Sequence, residues 1–257
     1  MPSIESPHRS LASGAESHFA GQIGEEYNML RLICPAAGDI SRRVGEFLKV
    51  WSSGSVPPGV PLRVVEIGCG TGITTSELLS ARDDQLLTAV DIEPTMLSQA
   101  RRNLADWISS GRVSLVEGDA LSFLRRVETA SVDVVASAYA FHNFLEHYRR
   151  KVVVQVYRVL KPGGVFVNGD RYALDDASEQ TRLIQEEVKH YFATFSTMQR
   201  YDLLEQWVVH LFSDESPDHV MRLEPALQSY REAGFVAVAV HDRYQNNALV
   251  TAEKPGP

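Results

Sequence analysis

The sequence predicts an α/β protein built on a doubly wound, mostly parallel sheet of seven strands. Three observations lead to this prediction. Short apolar runs alternate with helical segments from about residue 61 to residue 170, a glycine-rich turn joins the first run to a helix, and two more apolar runs follow near the C-terminus. Strands that alternate with helices imply parallel βαβ units with right-handed crossovers.

The N-terminal part is expected to precede the sheet. Residues 1–18 lack periodic apolar positions and are predicted to be a mobile tail, whereas residues 19–257 are predicted to form a single domain. Two helical segments are expected within residues 19–51, broken at Pro35, and a loop follows them.

Five short apolar runs predict the parallel strands, at residues 62–67, 86–90, 113–116, 132–137 and 165–168. The connecting helices are expected at residues 72–82, 94–108 and 145–160. Residues 235–240 and 248–252 predict an antiparallel hairpin at one edge of the sheet. A helical insertion at about residues 172–222 is rich in aromatic residues, so it either packs a core or forms a lid over the carboxyl ends of the strands, where ligands bind in such sheets.

Composition and charge narrow the class of protein. The 257 residues carry 25 basic and 33 acidic side chains, a net charge of −8 that argues against non-specific nucleic-acid binding. The densest basic cluster, Arg149–Lys151, is expected to be a solvated helix face. There is no apolar run of membrane-spanning length and no signal-like N-terminus, so a cytoplasmic protein without a membrane partner is expected. The histidines and acids show no metal-binding spacing, so no metal site is expected.

The glycine-rich turn is the strongest functional signal. Residues 64–72 read VVEIGCGTG, and glycines there permit a sharp turn and close approach of a ligand to the backbone. Asp91 ends the second strand, where a carboxylate can accept hydrogen bonds from both ribose hydroxyls. Glu66 would repel a dinucleotide pyrophosphate but could order the loop that receives an amino-acid ammonium group. The pattern therefore favours a nucleoside linked to a sulfonium amino acid.

The motif set resembles that of the class I S-adenosylmethionine-dependent methyltransferase family. It comprises this turn, residues 118–120, the strand that ends at Ser137 and residues 160–164. The resemblance implies a Rossmann-like fold, S-adenosylmethionine as cofactor, S-adenosylhomocysteine as product and a small-molecule methyl acceptor. The expected cofactor-binding residues are Glu66, Gly68, Cys69, Gly70, Asp91, Ile92, Met96, Asp119, Ala120 and Ser137.

The ends of the chain are similar to the carboxy-S-adenosylmethionine synthase group. Residues 27–30, followed by Cys34 and Pro35, resemble its N-terminal helix, which implies that Tyr27 lies at the cofactor. That group carries an arginine in the lid helix to hold the extra carboxylate. The corresponding stretch here ends at His210 and has no arginine, which argues against a carboxylated cofactor.

Four residues are candidates for contact with the acceptor. His142 follows the fourth strand, close to where the methyl group should point, and is either a general base or a loop-ordering residue. Arg171 either clamps an anionic group or pairs with a nearby acid. Tyr172 is either an aromatic residue at the rim of the site or a hydrogen-bond donor to the substrate. His210 stands where the related group has its arginine.

The leading hypothesis is methyl transfer to an O or N atom of a small molecule. One alternative is a non-methylating S-adenosyl enzyme, such as a carboxy-S-adenosylmethionine synthase acting with prephenate, or a cyclase. The other is a non-catalytic S-adenosyl-binding subunit. A lid supplied by a neighbouring subunit would make the protein a homodimer.

Overall fold

The computed structural model describes residues 29–52 and 59–256. The expectations for the tail, for helix before residue 29 and for Tyr27 lie outside the described residues. The seven strands are β1 (Leu62–Ile67), β2 (Gln85–Asp91), β3 (Val113–Glu117), β4 (Val132–Ala138), β5 (Leu160–Arg171), β6 (Val236–Tyr244) and β7 (Asn247–Glu253). They form one sheet in the order β3-β2-β1-β4-β5-β7-β6.

The described helices precede, connect and cover these strands. They are α1 (Leu30–Ile33), α2 (Pro35–Val50), α3 (Ile73–Ala81), α4 (Pro94–Asn103), α5 (Ala105–Ser109), α6 (Ala120–Arg126), α7 (Glu146–Val159), α8 (Ala177–Thr197), α9 (Tyr201–Asp214) and α10 (Leu223–Glu232). A short 3-10 turn, Phe141–Asn143, follows β4.

The topology confirms the predicted fold class. Strands β1 to β5 pair in parallel, whereas β7 pairs antiparallel with both β5 and β6. The C-terminal hairpin is therefore present, with β7 inserted between β5 and the edge strand β6. All but the last residue of β7 is buried, because β7 has a neighbouring strand on each side and helices near its faces.

Three local features differ from the expectations. Strand β5 begins at Leu160, so the K-P-G-G segment at residues 161–164 is a bulge within the sheet and not a turn before it. In this bulge Lys161 Nζ lies 2.7 Å from Asp133 Oδ1. The helix expected at residues 94–108 breaks at Leu104, which is fully buried against the glycine turn. Helix α6 is an element that the apolar pattern of the sequence does not predict.

The hydrophobic core has two layers, because successive strand side chains point to opposite faces. Val65 and Ile67 belong to one layer, and Leu62 and Val64 to the other. A third cluster lies between α8 and α9 and centres on the buried side chain of Phe195. The cluster also contains Ile33 of α1, so the insertion shares a small core with the N-terminal helix. None of the described helices combines the length and apolar character needed to cross a membrane.

Several apolar side chains remain exposed on the outer surface of this insertion. They are Phe192, Met198, Tyr201, Val209 and Phe212. The aromatic content noted in the sequence is therefore divided between the buried cluster and this exposed surface. The homodimer stays a prediction.

Candidate functional site

The glycine turn between β1 and α3 has a backbone that only small residues permit. Gly68 has φ +73° and Gly70 has φ +52°, both in the left-handed region. A Cβ atom at Gly68 would lie 2.2 Å from the Cβ of Ala140, so the turn packs directly against the segment after β4. The ends of β1 and β4 are thereby brought together at the carboxyl edge of the sheet, where ligands bind in this type of fold.

Asp91 connects the glycine turn to the end of β2. Its Oδ2 accepts a hydrogen bond from the Gly70 amide at 2.7 Å, and its Oδ1 accepts one from the Glu93 amide at 2.9 Å. Burial raises the pKa of Asp91, while these amide donors oppose the rise. Each carboxylate oxygen has lone pairs left for a ribose hydroxyl, so the geometry fits the predicted role.

Glu66 is a buried carboxyl group in β1, two residues before Gly68. It is completely buried, and neither carboxyl oxygen has a hydrogen-bond partner among the described residues. Burial raises its pKa to about 8. The nearby Thr75 hydroxyl opposes the rise, and the charge of Asp91 adds to it. A buried carboxylate without a partner is costly, whereas an ammonium group placed nearby would stabilise its ionised form.

Two other predicted cofactor residues use their side chains in structural bonds. The Ser137 hydroxyl donates to the Ile67 carbonyl at 2.9 Å and so ties β4 to β1. Asp119 accepts a hydrogen bond from the Ser122 amide at 2.7 Å, which caps helix α6, and another from the Tyr148 hydroxyl. These contacts fix the positions of both side chains, and their roles in cofactor binding stay predictions.

The remaining predicted cofactor-binding residues lie in apolar surroundings. Cys69 is buried, and burial raises its thiol pKa well above the usual value, so it is a neutral thiol. Met96 is buried, with its methyl group near Gly70. Ala120 belongs to the core, and Ile92 is half-buried against it. Their roles in cofactor binding stay predictions.

His142 lies just after β4 and is held by Asp170 at the end of β5. His142 Nδ1 is 2.6 Å from Asp170 Oδ1. The same carboxylate accepts hydrogen bonds from the Phe141 amide at 2.9 Å and the Arg171 amide at 2.8 Å. His142 is only 6% exposed, and its ring meets the Tyr139 ring edge-on with 5.6 Å between the ring centroids. Its position and orientation are therefore strongly constrained.

The last turns of α9 cover the other side of this imidazole. His142 Nε2 lies 3.8 Å from Asp214 Oδ2, and His210 Nε2 lies 3.6 Å from the same oxygen. The sequence singled out His142 and His210, and the structure brings them together. It also adds Asp214, which sequence reasoning missed, although its place four residues after His210 on one helix was a usable signal.

Arg171 forms a buried ionic cluster with one acid of α8 and the acid that directly follows α9. Its guanidinium group lies 2.9 Å from Glu187 Oε2 and 3.2 Å from Glu215 Oε1. Burial by itself would lower the Arg171 pKa, but these two carboxylates raise it further than burial lowers it. Two roles were considered for Arg171, and its described contacts correspond to the second, pairing with nearby acids.

The expectation that Tyr172 lies at the rim of the site is wrong. The side chain is fully buried in the core. Its hydroxyl is 3.1 Å from the Tyr230 hydroxyl and accepts a hydrogen bond from Asn168 Nδ2 at 2.8 Å. Successive side chains of an extended chain point to opposite sides. Arg171 therefore faces α8, and Tyr172 faces α10.

The expectation of a solvated basic face at Arg149–Lys151 is wrong for Arg149. Its guanidinium group is buried and donates to four backbone carbonyls, and burial lowers its pKa. These carbonyls belong to Phe141, His142, Phe144 and His219. Arg149 thus fixes the backbone around His142, a role that only the three-dimensional arrangement reveals.

Comparisons with known proteins identify the family of the chain. A family model described as a methyltransferase domain matches residues 64–164. A carboxy-S-adenosylmethionine synthase of Chromohalobacter salexigens is 28% identical over 197 residues, which cover 74% of this chain and 68% of that protein. A candidate O-methyltransferase of Mycobacterium avium (strain 104) is 31% identical over 172 residues, which cover 63% of this chain and 73% of that protein.

The fold is also shared with solved structures. An O-methyltransferase family protein from Burkholderia thailandensis superposes with a TM-score of 0.61 at 21% identity. The alignment covers 96% of this chain but 66% of that one, and at this identity it shows a common fold alone. The sequence matches and the geometry of the glycine turn lead to one conclusion. The chain belongs to the class I S-adenosylmethionine-dependent methyltransferase family, with S-adenosylmethionine as cofactor and S-adenosylhomocysteine as product.

Proposed function

We propose that the protein transfers the methyl group of S-adenosylmethionine to an oxygen or nitrogen atom of a small molecule held beside His142. The observation that carries the proposal is the His142–Asp170 pair, with 2.6 Å between Nδ1 and Oδ1, next to the glycine turn. Ala140, two residues before His142 in the chain, packs against Gly68 of the glycine turn, which supports a position of the pair beside the cofactor.

Asp170 selects the form of the imidazole that can act on an acceptor. Its carboxylate accepts hydrogen bonds, so the hydrogen of a neutral His142 belongs on Nδ1 and the lone pair on Nε2. That lone pair is directed toward α9. A hydroxyl or amine placed there can donate its hydrogen to Nε2 and attack the methyl group in line, and the sulfonium leaves as the neutral thioether S-adenosylhomocysteine.

The covering helices favour a small acceptor. His142 is 6% exposed because the last turns of α9 lie over it. A nucleic acid or protein segment would need α9 to be displaced before it could reach Nε2. The net charge of −8 also opposes binding of polyanions.

The test is methyl transfer from isotopically labelled S-adenosylmethionine to panels of phenols, carboxylic acids and amines, read by mass spectrometry. We expect His142→Gln and Asp170→Asn to lower turnover by roughly 10²- to 10⁴-fold with S-adenosylmethionine affinity unchanged. His147→Gln is the matched control, since His147 is exposed on α7. Full methyl transfer by His142→Gln would refute a role for this imidazole.

Carboxy-S-adenosylmethionine synthesis is the second candidate, supported by the relative that matches 74% of this chain. Such a product needs a cation for its additional carboxylate. Position 210, where such a cation would be expected, is histidine. Arg171 already pairs with two carboxylates, and Arg149 already donates to backbone carbonyls, so neither guanidinium group is available for that carboxylate. Methyl transfer is therefore the better-supported function. A carboxylated product formed from S-adenosylmethionine and prephenate would reverse this order.

A further inference from the structure

We propose that His142, His210 and Asp214 together bind a divalent transition-metal ion. Each residue offers one ligand atom, and the three atoms lie within 4.8 Å of one another. Two of them come from α9 and the third from the turn after β4. The ion would therefore join the covering helix to the carboxyl edge of the sheet.

The distances within this cluster fit a shared ion better than direct hydrogen bonds. Asp214 Oδ2 is 3.6 Å from His210 Nε2 and 3.8 Å from His142 Nε2, whereas hydrogen bonds between such atoms are about 2.7–3.2 Å long. Two ligand atoms bound at about 2.0–2.1 Å to one tetrahedral ion lie about 3.4 Å apart. A small inward shift of the three side chains would complete the geometry.

Asp214 provides an independent indication of a missing ligand. The residue is 7% exposed, and its Oδ1 atom is buried without a hydrogen-bond partner in the part of the chain that the structure describes. A buried carboxylate oxygen without a partner is destabilising, and coordination to a cation removes that penalty.

Asp170 and the surrounding charges support the same assignment. A carboxylate on the far nitrogen of a metal-bound histidine orients the ring and increases its basicity, and Asp170 stands in that position relative to His142. The charged groups linked to the cluster comprise four carboxylates and two guanidinium groups, an excess of two negative charges. They are Asp170, Glu187, Asp214, Glu215, Arg149 and Arg171.

Two imidazoles and one carboxylate favour zinc or another first-row transition metal over Mg²⁺ or Ca²⁺, which prefer oxygen ligands alone. Three protein ligands leave a fourth position open, as in catalytic sites. Resting on the proposed function, we assign this position to the acceptor oxygen or nitrogen. The bound ion would lower the pKa of the acceptor, whose proton passes to solvent as the methyl–sulfur bond breaks and the new methyl bond forms. This inference keeps the methyl transfer and the acceptor position of the proposed function but replaces its base. With the ion bound, His142 Nε2 is a ligand, and the ion activates the acceptor in place of the imidazole.

The experiment titrates the tag-free full chain, stripped with EDTA, with Co²⁺ by visible absorption and with Zn²⁺ by calorimetry. No cofactor or acceptor is present, so the result is independent of the acceptor screen. We expect one equivalent to bind. Asp214→Asn and His210→Gln should weaken binding by at least about 100-fold, and Asp170→Asn by about 10- to 100-fold.

His147→Gln again serves as the control and should bind the metal as the wild type does. Circular dichroism of each variant confirms that the fold is retained, and His210→Gln is the less disruptive of the two ligand variants because His210 is less buried than Asp214. Failure of the stripped protein to bind either ion would overturn the proposal. So would unchanged affinity in both folded ligand variants, since the ion would then lie elsewhere.

Discussion

The contact between Gly68 and Ala140 makes a quantitative prediction about the cofactor turn. In Gly68→Ala the new Cβ would lie 2.2 Å from the Ala140 Cβ, at a residue whose φ is +73°. The left-handed conformation costs an alanine about 1–2 kcal/mol. Overpacking in a close-packed region adds about 1–3 kcal/mol. The free energy of unfolding should therefore fall by about 2–5 kcal/mol.

Gly111 is the matched control for the backbone cost. Its φ is +75°, and a Cβ there would meet no atom within 4 Å. Gly111→Ala should therefore lower the free energy of unfolding by the conformational cost alone, about 1–2 kcal/mol. The difference between the two variants measures the packing at Gly68.

A double variant separates the two costs within the turn itself. Ala140→Gly removes the atom that the new Cβ would strike. Adding it to Gly68→Ala should therefore recover the stability lost to overpacking, about 1–3 kcal/mol. The backbone cost should remain. Urea unfolding of the wild type, both single variants and the double variant gives the coupling energy directly.

The same variants test the link between the turn and the cofactor. A displaced turn would move the Gly70 amide away from Asp91, so Gly68→Ala should weaken S-adenosylmethionine binding in calorimetry, whereas Gly111→Ala should not. Equal destabilisation by Gly68→Ala and Gly111→Ala, together with no recovery in the double variant, would refute the tight contact and the argument that places His142 near the cofactor.

Three further predictions follow from the site. Asp91→Ala should weaken S-adenosylmethionine binding by about 1.5–3 kcal/mol in calorimetry, and unchanged affinity would place the ribose elsewhere. Glu66 has a pKa of about 8, above its usual 4.5, so the cofactor-free folded protein holds a proton that the unfolded chain releases. As the pH rises from 4.5 to about 8, the free energy of unfolding should fall by up to about 1.4 kcal/mol per pH unit. Urea unfolding of Glu66→Gln should lack that decline. An identical decline in this variant would contradict its assignment to Glu66. Tyr172→Phe should lower the free energy of unfolding by about 1–3 kcal/mol by leaving Tyr230 and Asn168 short of a partner, and a specific loss of turnover would contradict its core position.

The sequence by itself determined the features that depend on residues close together in the chain. Apolar runs and their spacing located strands β1 to β4 almost to the residue, and the turn at Gly68 with Asp91 identified the cofactor class. These features are local, because a strand, the turn that leaves it and the helix that follows are set by a short stretch of residues.

Only the tertiary structure decided which side chains meet across elements. Tyr172 is buried although the sequence suggested the rim of the site, and Arg149 is buried although the sequence suggested a solvated helix face. The insertion of β7 and the packing of α10 determine which side of each element faces the core. Asp214 meets His142 through the path of a helix distant in the chain. Composition and periodicity describe one element at a time, whereas the cluster of His142, His210 and Asp214 exists only once α9 has packed over the carboxyl edge of the sheet.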